Sequence, residues 1–167
     1  MCEAVNMSLK EELGLNRGME VLAHEAILNI YHTVSCLKKA ADDFFKTYGL
    51  TDVQFNLLML LKYQTPNNSG MTQAGISKMM LVNRANITML VDRMEKAALV
   101  ERTAAPGDRR SNIVIMTEKG KALLEEVETL YGQRIQTVMS DLDDEQQNQL
   151  IFMMEKVRAK APELAGK

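Results

Sequence analysis

Two clusters in the sequence carry side chains suited to reading a nucleic acid. The first, "NRANITMLVDR", brings Asn83, Arg84, Ala85, Asn86, Thr88, Met89 and Arg93 into one short stretch. Asn can bond adenine through both arms of its carboxamide, and Arg can do the same with guanine. A small Ala permits close approach or touches a thymine methyl. The second cluster is the pair Arg109 and Arg110 in "TAAPGDRRSNIVIMTEK". Pro106 fixes φ and Gly107 is free to take positive φ, so the arginines are expected at the tip of a hairpin loop. Taken alone, a charged tip is an ordinary solvated turn, and the surroundings must decide its role.

Other chemistry has few reagents here. The histidines are His24 and His32. The sequence has no CxxC, HExxH, GxGxxG, GxxxxGK[ST] or GxSxG, the spacings of common metal, nucleotide and nucleophile sites. No enzyme activity, cofactor or metal is expected. Cys36 stands one helical turn beyond His32, with Lys39 near, which can favour a thiolate and makes Cys36 the candidate redox residue. The plainer reading is a small apolar side chain in a packed helix. Cys2 and Cys36 make no disulfide framework, and reduced thiols fit a cytosolic chain.

At 167 residues, with 46% apolar and 25% charged residues, the chain reads as one globular domain. No apolar run approaches the roughly 20 residues needed to span a bilayer. The N-terminus "MCEAVNMSLKEELG" has acids where a signal peptide has bases, so a cytoplasmic location is expected. Charge is unevenly spread. The formal net charge is −2, but Met71 to Lys121 holds nine Lys/Arg against five Asp/Glu, a net of +4, and the remainder carries −6. A polyanion should therefore meet the middle third.

The elements that position these residues follow from periodicity and capping. Ala23, Ile27, Ile30, Val34, Leu37, Ala41, Phe44 and Tyr48 alternate in steps of four and three, predicting a long helix over 19–48 that Gly49 stops. Thr51 and Gln54 form a capping box, and Leu50 with Phe55 its hydrophobic staple, for a second helix from 52 to about 63. "QTPNNSG" is a polar loop, and Thr72 can cap a short helix ending near Met80.

A tight turn follows, with Asn83 as the next N-cap and Val82 and Ile87 at staple spacing. In that helix Ile87, Leu90, Val91 and Met94 share one face. Ala85, Met89 and Lys96 point away from it, flanked by Asn86, Thr88 and Arg93. Phosphate would repel Asp92, which is assigned instead to an ion pair with a nearby arginine. "VERTAA" and "SNIVIM" can pair around "PGDRR". Thr117 starts a helix to about Ser140 with Leu124, Val127, Tyr131, Ile135 and Val138 as its stripe, and Leu150, Met154 and Val157 mark a last one.

Helix, tight turn, helix and hairpin make a winged helix-turn-helix: a mainly α fold with a small β-hairpin. The DNA set is then Thr72, Lys78, Asn83, Arg84, Ala85, Asn86, Thr88, Met89 and Arg93, with Arg109 and Arg110 at the wing tip. "GLTDVQFNLL", "ISKMMLVNRANITMLVDRMEKAALVER" and "PGDRRSNIVIMTEKG", at these separations, resemble the MarR family of bacterial winged-helix regulators over roughly residues 20–158.

The resemblance implies a single domain over 1–167 that forms a homodimer through 1–49 and 118–167. It also implies a DNA-binding lobe at 50–117, a pseudo-palindromic operator on double-stranded DNA and repression answering to a small organic effector. By analogy with relatives that hold aromatic acids, the effector pocket draws on His24, Tyr31, Asp52, Phe55 and Tyr131. Three positions depart from the family pattern. Ala98 replaces a common Gly after the recognition helix, implying a strained left-handed cap. Gly75 weakens the helix before the turn, and Phe55 replaces a commoner Trp. The alternative from another class is a helical protein-interaction scaffold that has lost DNA binding.

Overall fold

The computed structural model describes residues 7–80, 83–105 and 108–166; the side chains of Arg84 and residues 108–111 lie outside the described set. Cys2, the expected staple residue Val82 and Pro106–Gly107, where a turn is expected, also fall outside it.

Local signals set most element boundaries. The short helix α1 (Leu9–Glu12) is started by a capping box between Ser8 and Glu11. The long seam becomes α2 (Leu22–Lys46), which ends in a bond from the Leu50 amide to the Phe45 carbonyl at 3.0 Å, with Gly49 at φ 67. Helix α3 (Asp52–Gln64) has the predicted box: the Thr51 amide donates to Gln54 Oε1 at 2.8 Å. Its staple residues Leu50 and Phe55 are both buried.

After a 3₁₀ turn at Pro66–Asn68 come β1 (Met71–Thr72), α4 (Gln73–Met80), α5 (Arg84–Lys96), β2 (Val100–Ala105) and β3 (Asp108–Met116). Helices α6 (Glu118–Val138) and α7 (Asp144–Lys160) complete the chain, with a 3₁₀ turn at Ala161–Ala165.

The expected hairpin is part of a three-stranded antiparallel sheet in the order β1-β3-β2. Strand β1 pairs Met71 with Val114 and Thr72 with Ile113, a strand too short to leave a periodic signal. Asn68 extends that edge: its carboxamide nitrogen donates to the Met116 carbonyl at 2.9 Å and its oxygen accepts the Met116 amide at 3.1 Å. The core gathers around α3, where Leu57, Leu58 and Leu61 meet Ile76, Met94 and Val114 in one buried cluster. Gly75 has a packing reason as well as a helical cost, because a Cβ there would sit 2.9 Å from Met71 Cγ.

Helix α5 ends as the sequence implies. Ala98 takes φ 57, its amide donates to Glu95 at 2.8 Å, and the Leu99 amide reaches back to Met94 at 2.9 Å. These two bonds and the buried Met94 and Leu99 make a full Schellman motif with alanine in the left-handed position. The Thr117 hydroxyl donates to the Ala98 carbonyl at 2.7 Å and Lys119 Nζ to that of Ala97 at 2.8 Å, so α6 holds the strained cap in place. Ala98→Gly should raise stability by about 1 kcal/mol, the left-handed penalty of a Cβ. Urea unfolding measures it, and a loss of stability would mean that the strain is already relieved.

Candidate nucleic-acid interface

Helix α5 starts with Asn83 as N-cap, its Oδ1 accepting the Ala85 amide at 2.9 Å. Ile87, Leu90, Val91 and Met94 are buried, which fixes the rotation of the helix and leaves Ala85, Asn86, Thr88, Met89 and Arg93 exposed. The two faces separate as the spacing predicts.

Neighbouring elements hold this helix. The Thr88 hydroxyl donates to Gln73 Oε1 at 2.8 Å, joining α5 to the first residue of α4. Thr72 caps α4, its Oγ1 accepting the Gly75 amide at 3.1 Å, and Lys78 is exposed further along that helix. Arg102, on β2, supplies the tie with the most bonds. Its Nη2 meets Asp92 Oδ1 at 2.5 Å, its Nη1 pairs with Glu95, and its amide donates to Glu95 Oε1 at 2.8 Å. Asp92 therefore has the ion-pair role expected of it, and Arg102, one cation of the basic third, is committed within the fold. Glu95 as the second partner has no signature in the sequence, because it depends on how β2 folds back along α5 rather than on any capping or periodic pattern.

The wing differs in detail from a simple tip. β2 and β3 pair in register from Val100↔Met116 to Ala104↔Asn112, and the next pair is Ala105↔Asp108. The backbone of Arg109, Arg110 and Ser111 is thus passed over by the pairing, an irregularity near the start of β3. Their side chains are outside the described set, as is that of Arg84.

Comparison with known proteins agrees with this layout. The sequence profile described as "MarR family" matches residues 48–111. The HTH-type transcriptional repressor NicR of Pseudomonas putida is 32% identical over 126 residues, covering 75% of this chain and 74% of NicR. The chain belongs to the MarR family.

Solved MarR-family structures share the fold. The Staphylococcus aureus MepR–DNA complex aligns with TM-score 0.69 and 23% identity, over 80% of this chain and 96% of that one. Rhodococcus jostii CouR bound to p-coumaroyl-CoA aligns with TM-score 0.71 and 22% identity, over 83% and 95%.

A second feature of this MarR-family chain is a cavity of about 590 Å³ between α2 and α6. Phe44, Tyr48 and Tyr131 form aromatic walls, Leu37 and Val138 apolar ones, and Arg134 stands at its edge. Arg134 makes no ion pair or hydrogen bond among the described residues. Behind the wall, Phe45 stacks on Phe55 with centroids 4.5 Å apart, and Tyr131 meets both rings, at 4.8 and 5.3 Å. Burial and the nearby Asp52 carboxylate push the Tyr131 hydroxyl up from its ordinary value.

Of the five expected pocket residues, Tyr131 lines this cavity, Phe55 is buried behind it and Asp52 lies near Tyr131, its carboxylate accepting from Asn56 at 2.9 Å. His24 and Tyr31 are exposed on α2 and line no part of it. Arg134 is absent from the expected set, although its place one turn from Tyr131 on the same helix could have pointed to it.

Cys36 is exposed within the single chain, its Sγ 3.8 Å from His32 Nε2, and Glu12 of α1 meets the same nitrogen at 2.9 Å. Among the described residues no group of three His, Cys, Asp or Glu side chains could hold a metal, and no helix is long and apolar enough to cross a membrane. At the far end of α3, Lys62 and Tyr63 both donate to Glu128 of α6. Burial pushes the Glu128 carboxyl up, but these two bonds outweigh it and hold the group below its usual value.

Proposed function

We propose that the chain is a cytoplasmic, homodimeric transcriptional repressor that binds a pseudo-palindromic operator and releases it on binding a small organic anion. One observation carries the DNA reading: α5 is clamped on one side and presents Asn86, Met89 and Arg93 on the other, beside a β2–β3 wing carrying Arg109 and Arg110. That is the layout of a helix for the major groove and a wing for the backbone and minor groove. Residues 50–117 serve as the DNA-binding lobe, 1–49 and 118–167 as the dimerisation region. The relationship to a repressor and the fold shared with a MepR–DNA complex support this reading.

The dimer follows from unpartnered apolar surface. Among its described residues α7 buries no side chain and exposes Ile151, Phe152, Met153 and Val157; α2 exposes Leu22, Val34 and Leu37. Apolar faces of that extent call for a second surface, and a copy of the same chain supplies one by symmetry. Light scattering at micromolar protein should give about twice the chain mass, and a stable folded monomer refutes the assembly. For the effector, the aromatic walls and the unpaired Arg134 of the α2–α6 cavity suit an aromatic or aliphatic acid, with the guanidinium taking the carboxylate. That a neighbour in this fold, CouR, is bound to p-coumaroyl-CoA supports an organic effector in general.

A band shift with DNA from upstream of the protein's own gene tests the main reading. Expected is a retarded complex that weakens steeply with salt as phosphates regain their counterions. A folded dimer that shifts no DNA would favour the interaction scaffold instead.

A further inference from the structure

We infer that Met89 reads the 5-methyl group of thymine at one position in each half-site, a deepening that rests on the DNA-binding reading above. Among the described residues Met89 is the large apolar side chain that α5 leaves in water: it is 55% exposed, while Ile87, Leu90, Val91 and Met94 are buried. Single exposed apolar residues are common on proteins; what sets this one apart is its surroundings.

The other groups at the start of α5 are partly committed. Asn83 Oδ1 caps the helix and the Thr88 hydroxyl bonds Gln73. Ala85 and Asn86 stand one turn before Met89, both exposed. Arg93 stands one turn after it, tethered by a bond from its Nε to the Met89 carbonyl at 3.2 Å. Met89 is thus an apolar spot framed by a carboxamide, a methyl and a cation. The apolar faces that a second copy would cover lie on α2, α6 and α7.

In the major groove the apolar group that a base edge offers is the thymine methyl. The unbranched thioether is flexible enough to seat against it and gains from the contact as water is excluded. Cytosine and uracil lack that group. The expected division is Asn86 for a hydrogen-bonded base and Met89 for the adjacent thymine.

The test uses duplexes selected by the full chain from a random pool, with each thymine of the half-site replaced in turn, on both symmetric arms, by deoxyuridine. At one symmetric pair the replacement should weaken binding about fourfold per arm, the worth of burying one methyl. Met89→Ala and Met89→Gln should bind the thymine and deoxyuridine duplexes equally well. Because the side chain is exposed, both variants should keep the parent's unfolding midpoint, which is measured alongside. If deoxyuridine is neutral everywhere, or weakens parent and variants alike, the inference is overturned while DNA binding stands. If the pool yields no bound sequence, the DNA-binding reading fails and this inference with it.

Discussion

Gly120→Ala should destabilise the protein by about 3 kcal/mol or more, far beyond an ordinary surface change. Gly120 lies in the first turn of α6, where helix propensity alone favours alanine by about 1 kcal/mol. The expected sign is therefore opposite to the local preference. A Cβ at this position would stand 2.1 Å from the Leu99 carbonyl oxygen and 3.0 Å from both the Leu99 carbonyl carbon and Met116 Cγ. A side chain could rotate away, but the Leu99 carbonyl is backbone and already accepts the Thr117 amide at 3.1 Å. Relief would require α6 to back away from the end of α5, taking the buried Leu124 and Val127 with it. A Cβ built at Gly132, on the same helix, meets nothing within 4 Å beyond its chain neighbours and the helix's own backbone, so Gly132→Ala is the control and should not destabilise. Urea unfolding of both variants reads the difference, and equal midpoints would show that the α5–α6 contact is looser than its geometry.

Replacing Arg109 and Arg110 together by alanine should weaken binding to operator and random DNA alike. Wing contacts to phosphate and groove shape set affinity, whereas base-edge contacts set preference. The slope of log affinity against log salt should flatten by about one unit for each phosphate that the wing no longer neutralises. Asn86→Ala should behave differently, costing on the order of 1 to 3 kcal/mol on the selected operator and much less on random duplex. Titrating both variants against the two duplexes at two salt concentrations separates the roles. A wing variant that failed only on the operator, or an Asn86→Ala that weakened every duplex equally, would reverse the assignment.

What could be read from the sequence was local. The caps at Thr51 and Asn83, the buried face of α5 and the left-handed Ala98 depend on residues within a turn or two of each other, and all have the expected form. The box at Ser8 and Glu11 has the same signature as that at Thr51, yet the four-residue helix it starts is too short to show a period. Strand β1, at two residues, owes its existence to a partner far along the chain, which no local window can reveal. The cavity shows the same limit. Periodicity says that α2 and α6 each have an apolar stripe, but not which turns come level. That crossing puts Phe44 and Tyr48 opposite Tyr131 and Arg134, and leaves Tyr31 in solvent.

The grip of Arg102 on Asp92 and Glu95 also has a mechanical meaning. Its backbone belongs to the sheet that carries the wing, and its guanidinium is anchored to the helix beside it, so sliding one past the other breaks both ion pairs. Together they form a caliper of fixed opening. A surface that fits one jaw but presents its second foothold a few ångströms out of place is met by bending the lobe only if that grip is broken. Where the surface itself deforms instead, its stiffness enters the affinity.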